Sequence, residues 1–211
     1  MDPEAFRELL RDRAIAAGLT LSSTFAEKLE AYFDLLARWN ARINLTSLQV
    51  DPPVASAVDR LLIEPLRAAA FVDANVSVWF DLGSGGGSPA VPLQLAKPAK
   101  RLVMVESRDR KAAFLREAIR TLPLLGSEVQ VYRIEQVTEE IHNAGLADLV
   151  TVRAVRVDAS LFSHVQALLR FGGQAVLFGA QVRPEQLPRG LEPTPLLPGS
   201  EGFVVLRRTG L

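Results

Sequence analysis

Cysteine is absent from the 211 residues, which excludes disulfides, a thiolate nucleophile and any cysteine-held zinc. Histidine is nearly absent. With only His142 and His164 available, a histidine-rich metal site is not expected, and both residues lie outside every motif described below. No apolar run reaches the roughly 20 residues of a membrane span. The start, Met1-Asp2-Pro3-Glu4, lacks the basic stretch and apolar core of a secretion signal. Net charge is missing too. Because 24 Lys and Arg balance 24 Asp and Glu, nothing global marks a nucleic-acid or membrane-surface binder, and any polyanionic partner needs locally concentrated basic charge. These absences lead to the expectation of a soluble, cytoplasmic, monomeric protein with no membrane partner and no metal.

What is present is ordinary globular material, 48% hydrophobic and 23% charged, without repeats or low-complexity tracts. The length suits one main domain with a small appendage. From Pro3 to about Trp39 the pattern is helical: Phe6, Leu9 and Leu10 precede a break at Gly18, then Phe25, Leu29, Tyr32, Phe33, Leu36 and Trp39 recur at spacings of three and four. The aromatic stripe at this spacing reads as core. Ser22-Ser23-Thr24 supplies helix caps, with Glu27 placed as in a capping box from Thr24. Asn40 and Asn44 are spaced to cap or brace the loop at Leu45–Ser47. Asp51-Pro52-Pro53 is a stop, and Val54 to about Ala70 is again helical.

Beyond residue 70 the texture changes. Short apolar runs at Ser77–Leu82, Arg101–Glu106, Glu128–Tyr132, Leu149–Val152 and Gln174–Phe178 alternate with helical stretches around Pro89–Ala96, Arg108–Leu122 and Ala159–Arg170. That alternation predicts βαβ units and a mostly parallel sheet. The proline-rich segment Pro184–Pro198 reads as loop. Gly202–Leu206 reads as a last strand, antiparallel because no helix precedes it. The expected division is a helical subdomain over 1–70 and an α/β domain over 71–211.

The most informative stretch is Asp81-Leu82-Gly83-Ser84-Gly85-Gly86-Gly87-Ser88-Pro89, a strand that ends in glycines and runs into a helix, so that a ligand can approach the backbone at the sheet's carboxyl edge. A dinucleotide fingerprint would have Gly or Ala where Ser88 stands, and a Walker loop would need a following Gly-Lys-Ser/Thr. Asp81, two residues before Gly83, would oppose a pyrophosphate but suits the cationic amino group of S-adenosylmethionine. Glu106 ends the second strand, 23 residues beyond Gly83, where a carboxylate can accept hydrogen bonds from the two ribose hydroxyls of an adenosine cofactor.

With these motifs the chain resembles the bacterial glucose-inhibited division protein B family over roughly residues 5–180. The carriers are Trp39-Asn40, Asn44-Leu45-Thr46-Ser47 and Asp59, the glycine loop with Pro92-Leu93, Glu106-Ser107 with Arg110-Lys111 and Phe114-Leu115, Arg133-Ile134-Glu135, and Arg153-Ala154. The resemblance implies a Rossmann-like class I methyltransferase fold. It also implies an S-adenosyl-L-methionine-dependent enzyme that methylates guanine N7 in small-subunit ribosomal RNA, with the RNA or the small subunit as partner. By it, Gly83, Gly85, Gly87 and Ser88 belong to the cofactor loop, Glu106 takes the ribose, Ile134 and Glu135 flank the adenine, and Arg153 touches cofactor or target base. Three positions depart from the family's usual pattern. Ser56 stands for a histidine, Ala90 for a glycine, and Phe178 for a lysine whose loss removes a phosphate or base contact.

Locally concentrated charge exists. Between Lys97 and Arg120 there are eight basic residues against three acids, whereas residues 1–40 hold seven acids against five bases. Arg108, Arg110 and Lys111 start a helix just past the cofactor strand, and Arg133, Arg153 and Arg156 sit at or beyond later strand ends. All are candidates to grip RNA.

Overall fold

The computed structural model describes residues 2–139, 144–196 and 201–210; His142 and the end of the proline-rich segment lie outside them. Helix α1 (Pro3–Ala16) begins with proline in its first turn and is capped by Asp2, whose side chain accepts from Glu4 N at 3.0 Å. Helix α2 (Ser23–Asn40) is capped by Ser22, whose hydroxyl accepts from Phe25 N at 3.2 Å. A cap at Ser22 puts Phe25 in the position a capping box reserves for a glutamate, so the box expected from Thr24 and Glu27 does not form. The helical expectation for 54–70 is met by a near-continuous coil: α3 (Ala55–Val58), a π turn (Asp59–Ile63), α4 (Glu64–Ala68) and a 3₁₀ turn (Ala69–Phe71).

Seven strands follow: β1 (Val78–Leu82), β2 (Arg101–Val105), β3 (Ser127–Gln130), β4 (Ala147–Arg153), β5 (Leu169–Phe178), β6 (Leu191–Pro193) and β7 (Phe203–Arg208). They form one sheet in the order β3-β2-β1-β4-β5-β7-β6. The first five are parallel neighbours, and β7 lies antiparallel against β5, as expected for the last strand. Helices α5 (Ala90–Ala96), α6 (Asp109–Thr121), α7 (Ile134–Glu139) and α8 (Ala159–Leu168) connect the strands. This is the Rossmann-like, mostly parallel architecture the sequence predicted.

Three elements differ from the expectation. The segment read as loop holds a 3₁₀ turn at Pro184–Gln186 and the short strand β6. β6 owes its form to the ladder offered by β7, where Leu191 pairs with Arg208, and its Pro193 is tolerated because the strand is at the sheet edge. Helix α7, starting at Ile134, was not foreseen either.

Successive strand residues point to opposite faces. Trp79, Leu102, Met104, Leu149 and Val176 face the core shared with α1, α2 and the π turn, while Phe80, Leu82, Val103, Val105, Val150 and Ala175 face the core shared with α8. Burial on both faces explains why the strands read as continuous apolar runs. The N-terminal helices therefore cover one face of the sheet, and their loops reach its carboxyl edge. No helix among the described residues is long and apolar enough to cross a membrane.

Candidate active site

Strand order reverses between β1 and β4, so the chain leaves the two strands in opposite directions and a crevice opens at their carboxyl ends. The glycine loop fills this point. Its backbone is pinned to the next strand, with Gly83 N and Ser84 N both donating to Val105 O at 2.9 and 3.0 Å. The Ser84 hydroxyl donates back to Asp81 O at 2.9 Å. Gly83 and Gly85 have φ of 74° and 50°, conformations that favour glycine. A Cβ at Gly83 would meet Val155 at 2.9 Å, whereas one at Gly85 would make only ordinary contacts, 3.6 Å from Gly83 O and 3.9 Å from Lys111 Nζ, in the hollow that the missing side chain leaves. Gly85 thus leaves a cradle in the loop.

Glu106 is 7% exposed and braces this cradle with both oxygens. Oε2 accepts from Gly85 N at 3.0 Å and Oε1 from Arg108 N at 2.8 Å. Each oxygen keeps a lone pair for a further donor.

The helical part holds the other wall. The Tyr32 hydroxyl donates to Gly86 O at 2.7 Å, and the Ser88 hydroxyl donates to Leu61 O in the π turn at 2.8 Å. Asn40 Oδ1 accepts from Leu45 N and Thr46 N, both at 2.9 Å, fixing the loop that carries Asn44–Ser47. Bracing by Asn40 is what its spacing suggested. Trp39 packs edge-on against Phe114, with centroids 5.9 Å apart, and Tyr32 and Phe33 are fully buried, as the aromatic stripe predicted.

Behind the loop, Asp81 is paired in register with Thr151 and accepts its hydroxyl, while Thr151 accepts from Trp79 Nε1 at 2.8 Å. The second carboxylate oxygen has no partner among the described residues. Burial pushes Asp81 up to about 6, against the hydrogen bonds and the Arg153 charge that pull it down.

Arg153 ends β4 beside Phe178 of β5. Its Nη1 donates to Glu64 Oε2 at 2.9 Å, its guanidinium carbon lies 4.6 Å from the Phe178 ring centroid, and its Nε and Nη2 are buried without partners among the described residues. Burial lowers its pKa, offset in part by Glu64. The next residue, Ala154, is held at φ 57°, a left-handed conformation that costs a non-glycine residue about 1–2 kcal/mol.

Two cavities meet here. One of about 510 Å³ is lined by the Asn44–Ser47 loop, Leu61, Gly83, Gly85, Ser88, Lys111, Arg153 and Ala154 among others. The second, of about 580 Å³, is lined by Tyr132, Arg133, Ile134 and Glu135. Gly83, Glu106, Arg108 and Val155 line both, which makes one continuous cleft. Of the residues singled out from sequence, Gly83, Gly85, Ser88, Glu106, Ile134, Glu135, Arg153, Arg108, Lys111 and Arg133 line it. Asp81 stands behind the loop and Gly87 packs against Tyr32 and Leu115. Arg110 is exposed outside both cavities, and Arg156, 89% exposed, faces Asp158 at 3.7 Å. Residues not foreseen are Tyr32 through its hydroxyl, Leu61, Tyr132 and Val155.

The basic strip is smaller than its count. Lys97 donates to Ala69 O and Val72 O, Arg101 pairs with Glu128, and Arg120 pairs with Glu117, so these three serve the fold. Arg108, Arg110 and Lys111 make no ion pair among the described residues and stay available. A further cavity of about 520 Å³, between α1 and α2, shares no residue with the cleft and is walled largely by Leu10, Ala14, Ile15, Leu19, Leu21 and Ala26. No group of three or more metal-ligating side chains exists among the described residues.

A Bacillus cereus O-methyltransferase solved in complex with SAH superposes with a TM-score of 0.58 at 16% identity, over 85% of this chain and 90% of that one, and shares the fold. In sequence, the Ribosomal RNA small subunit methyltransferase G of Neisseria meningitidis serogroup A is 33% identical over 167 residues, 79% of this chain and 76% of the relative. The protein of the same name from Rubrobacter xylanophilus is 35% identical over 189 residues, 87% and 69% of the two chains. The model of the family described as rRNA small subunit methyltransferase G matches residues 25–190. With the family model matching most of its length and these relatives a third identical, the chain belongs to the rRNA small subunit methyltransferase G family.

Proposed function

We propose that the protein transfers a methyl group from S-adenosyl-L-methionine to N7 of a guanine in small-subunit ribosomal RNA. The observation that carries this reading is the continuous cleft, in which Glu106 sits where the cavity walled by Ile134 and Glu135 joins the one lined by the glycine loop and Arg153. The residues suit the cofactor. Glu106 has lone pairs left for both ribose hydroxyls, Ile134 and Glu135 wall an adenine slot, and the missing side chain at Gly85 lets a ligand lie on the backbone. The unpartnered Arg153 donors suit the methionine carboxylate or the target base, and the unpartnered Asp81 oxygen supplies negative potential behind the loop for the ammonium group.

When bound, the cofactor supplies a methyl on a sulfonium centre; N7 uses its lone pair to form the new C–N bond as the C–S bond breaks, giving S-adenosylhomocysteine and a cationic base. N7 carries no proton, so the chain's residues need to align and desolvate the base rather than deprotonate it. Arg153, fixed between Glu64 and Phe178, meets that demand as a rigid donor. Leu36, Leu45 and Leu61 exclude water from the same cavity. Arg108, Lys111 and Arg133 hold RNA phosphates at the rim, while Arg110 and Arg156 extend the basic surface. The N-terminal 70 residues act as a helical subdomain that closes one side of the cleft.

The test is transfer of labelled methyl to small ribosomal subunits lacking the modification, run beside free small-molecule acceptors. Transfer to the subunits or their RNA supports the reading. Transfer confined to the small acceptors overturns it.

A further inference from the structure

The π turn between α3 and α4 carries three charged side chains in the order Asp59, Arg60, Glu64, counting the residue that follows it. Two of them are committed. Both Asp59 oxygens are held by Arg13, each at 2.8 Å, and Glu64 is held by Arg153 at 2.9 Å. The nearby Glu201 faces Arg67 at 4.0 Å. Each of these three carboxylates thus has another cation. Arg60 is exposed and makes neither an ion pair nor a hydrogen bond among the described residues.

Its position is nevertheless defined. Arg60 Nη2 stands 3.0 Å from where a Cβ on Gly179 would be, at the carboxyl end of β5, so the absence of a side chain there makes room for the guanidinium. Arg60 is also close enough to Arg153 for its charge to lower that residue's pKa. Two neighbouring guanidinium groups, of which only Arg153 has a carboxylate partner among the described residues, carry excess positive charge, an arrangement that an anion relieves. π turns of this kind recur at functional sites.

Across the carboxyl edge the sheet order now reads Arg133 after β3, Arg108 and Lys111 after β2, the glycine loop after β1, Arg153 at the end of β4, and Arg60 over the end of β5. The four strand spacings from β3 to β5 cover about 19 Å. We propose that Arg60 anchors a phosphate of the RNA strand on the β5 side of the cleft, as the counterpart of Arg108 and Lys111 on the β2 side. The inference rests on the proposed RNA substrate. It extends the basic rim beyond the sequence-derived candidates and places the reacting base between two phosphate contacts.

Steady-state methylation of small ribosomal subunits by wild type, Arg60→Ala and Arg60→Lys tests it, with cofactor affinity measured separately by calorimetry. The expected result for Arg60→Ala is a KM for the subunit raised about tenfold, as for one lost charge-assisted contact, with kcat and cofactor Kd unchanged. The slope of log(kcat/KM) against log salt should also fall by about 1. Arg60→Lys should restore most of both, which a purely structural role would not require. An Arg60→Ala enzyme with wild-type KM and salt slope, or one losing kcat alone, overturns the proposal while leaving the substrate reading intact. A wild-type enzyme that methylates no RNA overturns both.

Discussion

The Tyr32 hydroxyl donates to the carbonyl of Gly86 at 2.7 Å, so a residue whose ring is fully buried in the helical core holds the glycine loop by its polar tip. Together with Ser88 on Leu61 O, this bond couples the N-terminal helices to the cleft. Replacing Tyr32 with Phe keeps the ring and removes one hydrogen bond. Stability should fall by about 1 kcal/mol, a Tm shift of roughly 2–4 °C for a chain of this size. Cofactor Kd should rise severalfold because the loop loses its tether. A variant with lower Tm and wild-type Kd would show that the loop keeps its shape without α2.

Asp81 gives a pH signature. Burial raises its pKa from 3.8 to about 6 in the folded chain, so folding favours the protonated acid. Its contribution to stability is fully present below pH about 4 and is lost as pH rises through about 6. The Asp81→Asn variant has nothing to titrate there. Chemical denaturation at pH 4 and pH 7.5, without cofactor, should show wild type losing about 2 kcal/mol relative to the variant between the two conditions. A constant difference between the two proteins across that range would mean Asp81 is ionised throughout.

Arg153 is held by Glu64 and the Phe178 ring while two of its donors have no partner among the described residues. Arg153→Ala should lower kcat for methyl transfer about a hundredfold, the size of effect seen when one preorganised donor is removed, with a much smaller change in cofactor Kd. Arg153→Lys should not rescue it, since a lysine cannot span Glu64 and the cleft with a planar fork. Full activity in Arg153→Ala would remove Arg153 from the mechanism.

The parts of this protein that local pattern determines were readable from its sequence. The apolar runs of β1, β2 and β4 are continuous because both sheet faces are covered, and the glycines after Leu82 mark the one place where a strand must turn sharply into a helix. Glu106 and Arg153 could be placed because they end strands. What sequence could not show depends on distant partners. β6 exists only because β7 offers it a ladder. Tyr32 sits in a helical stripe with Phe33 and Leu36, so its spacing announces the buried ring and says nothing of a hydroxyl that meets Gly86. Lys97 and Arg101 looked like part of an RNA-binding strip, yet their partners, Ala69, Val72 and Glu128, lie on other elements. Phe178, which replaces an expected lysine, becomes intelligible once Arg153 is seen resting on its ring and Arg60 is seen over the adjacent Gly179.

The central claim is methylation of guanine N7 in small-subunit ribosomal RNA. Small-subunit RNA from cells with and without the gene, digested and analysed by mass spectrometry with the modified position mapped, tests it most directly. The account predicts one guanosine carrying an N7 methyl in the parent, unmodified in the deletion strain and restored by the wild-type protein but not by Arg153→Ala. Identical modification of this RNA in both strains would contradict it.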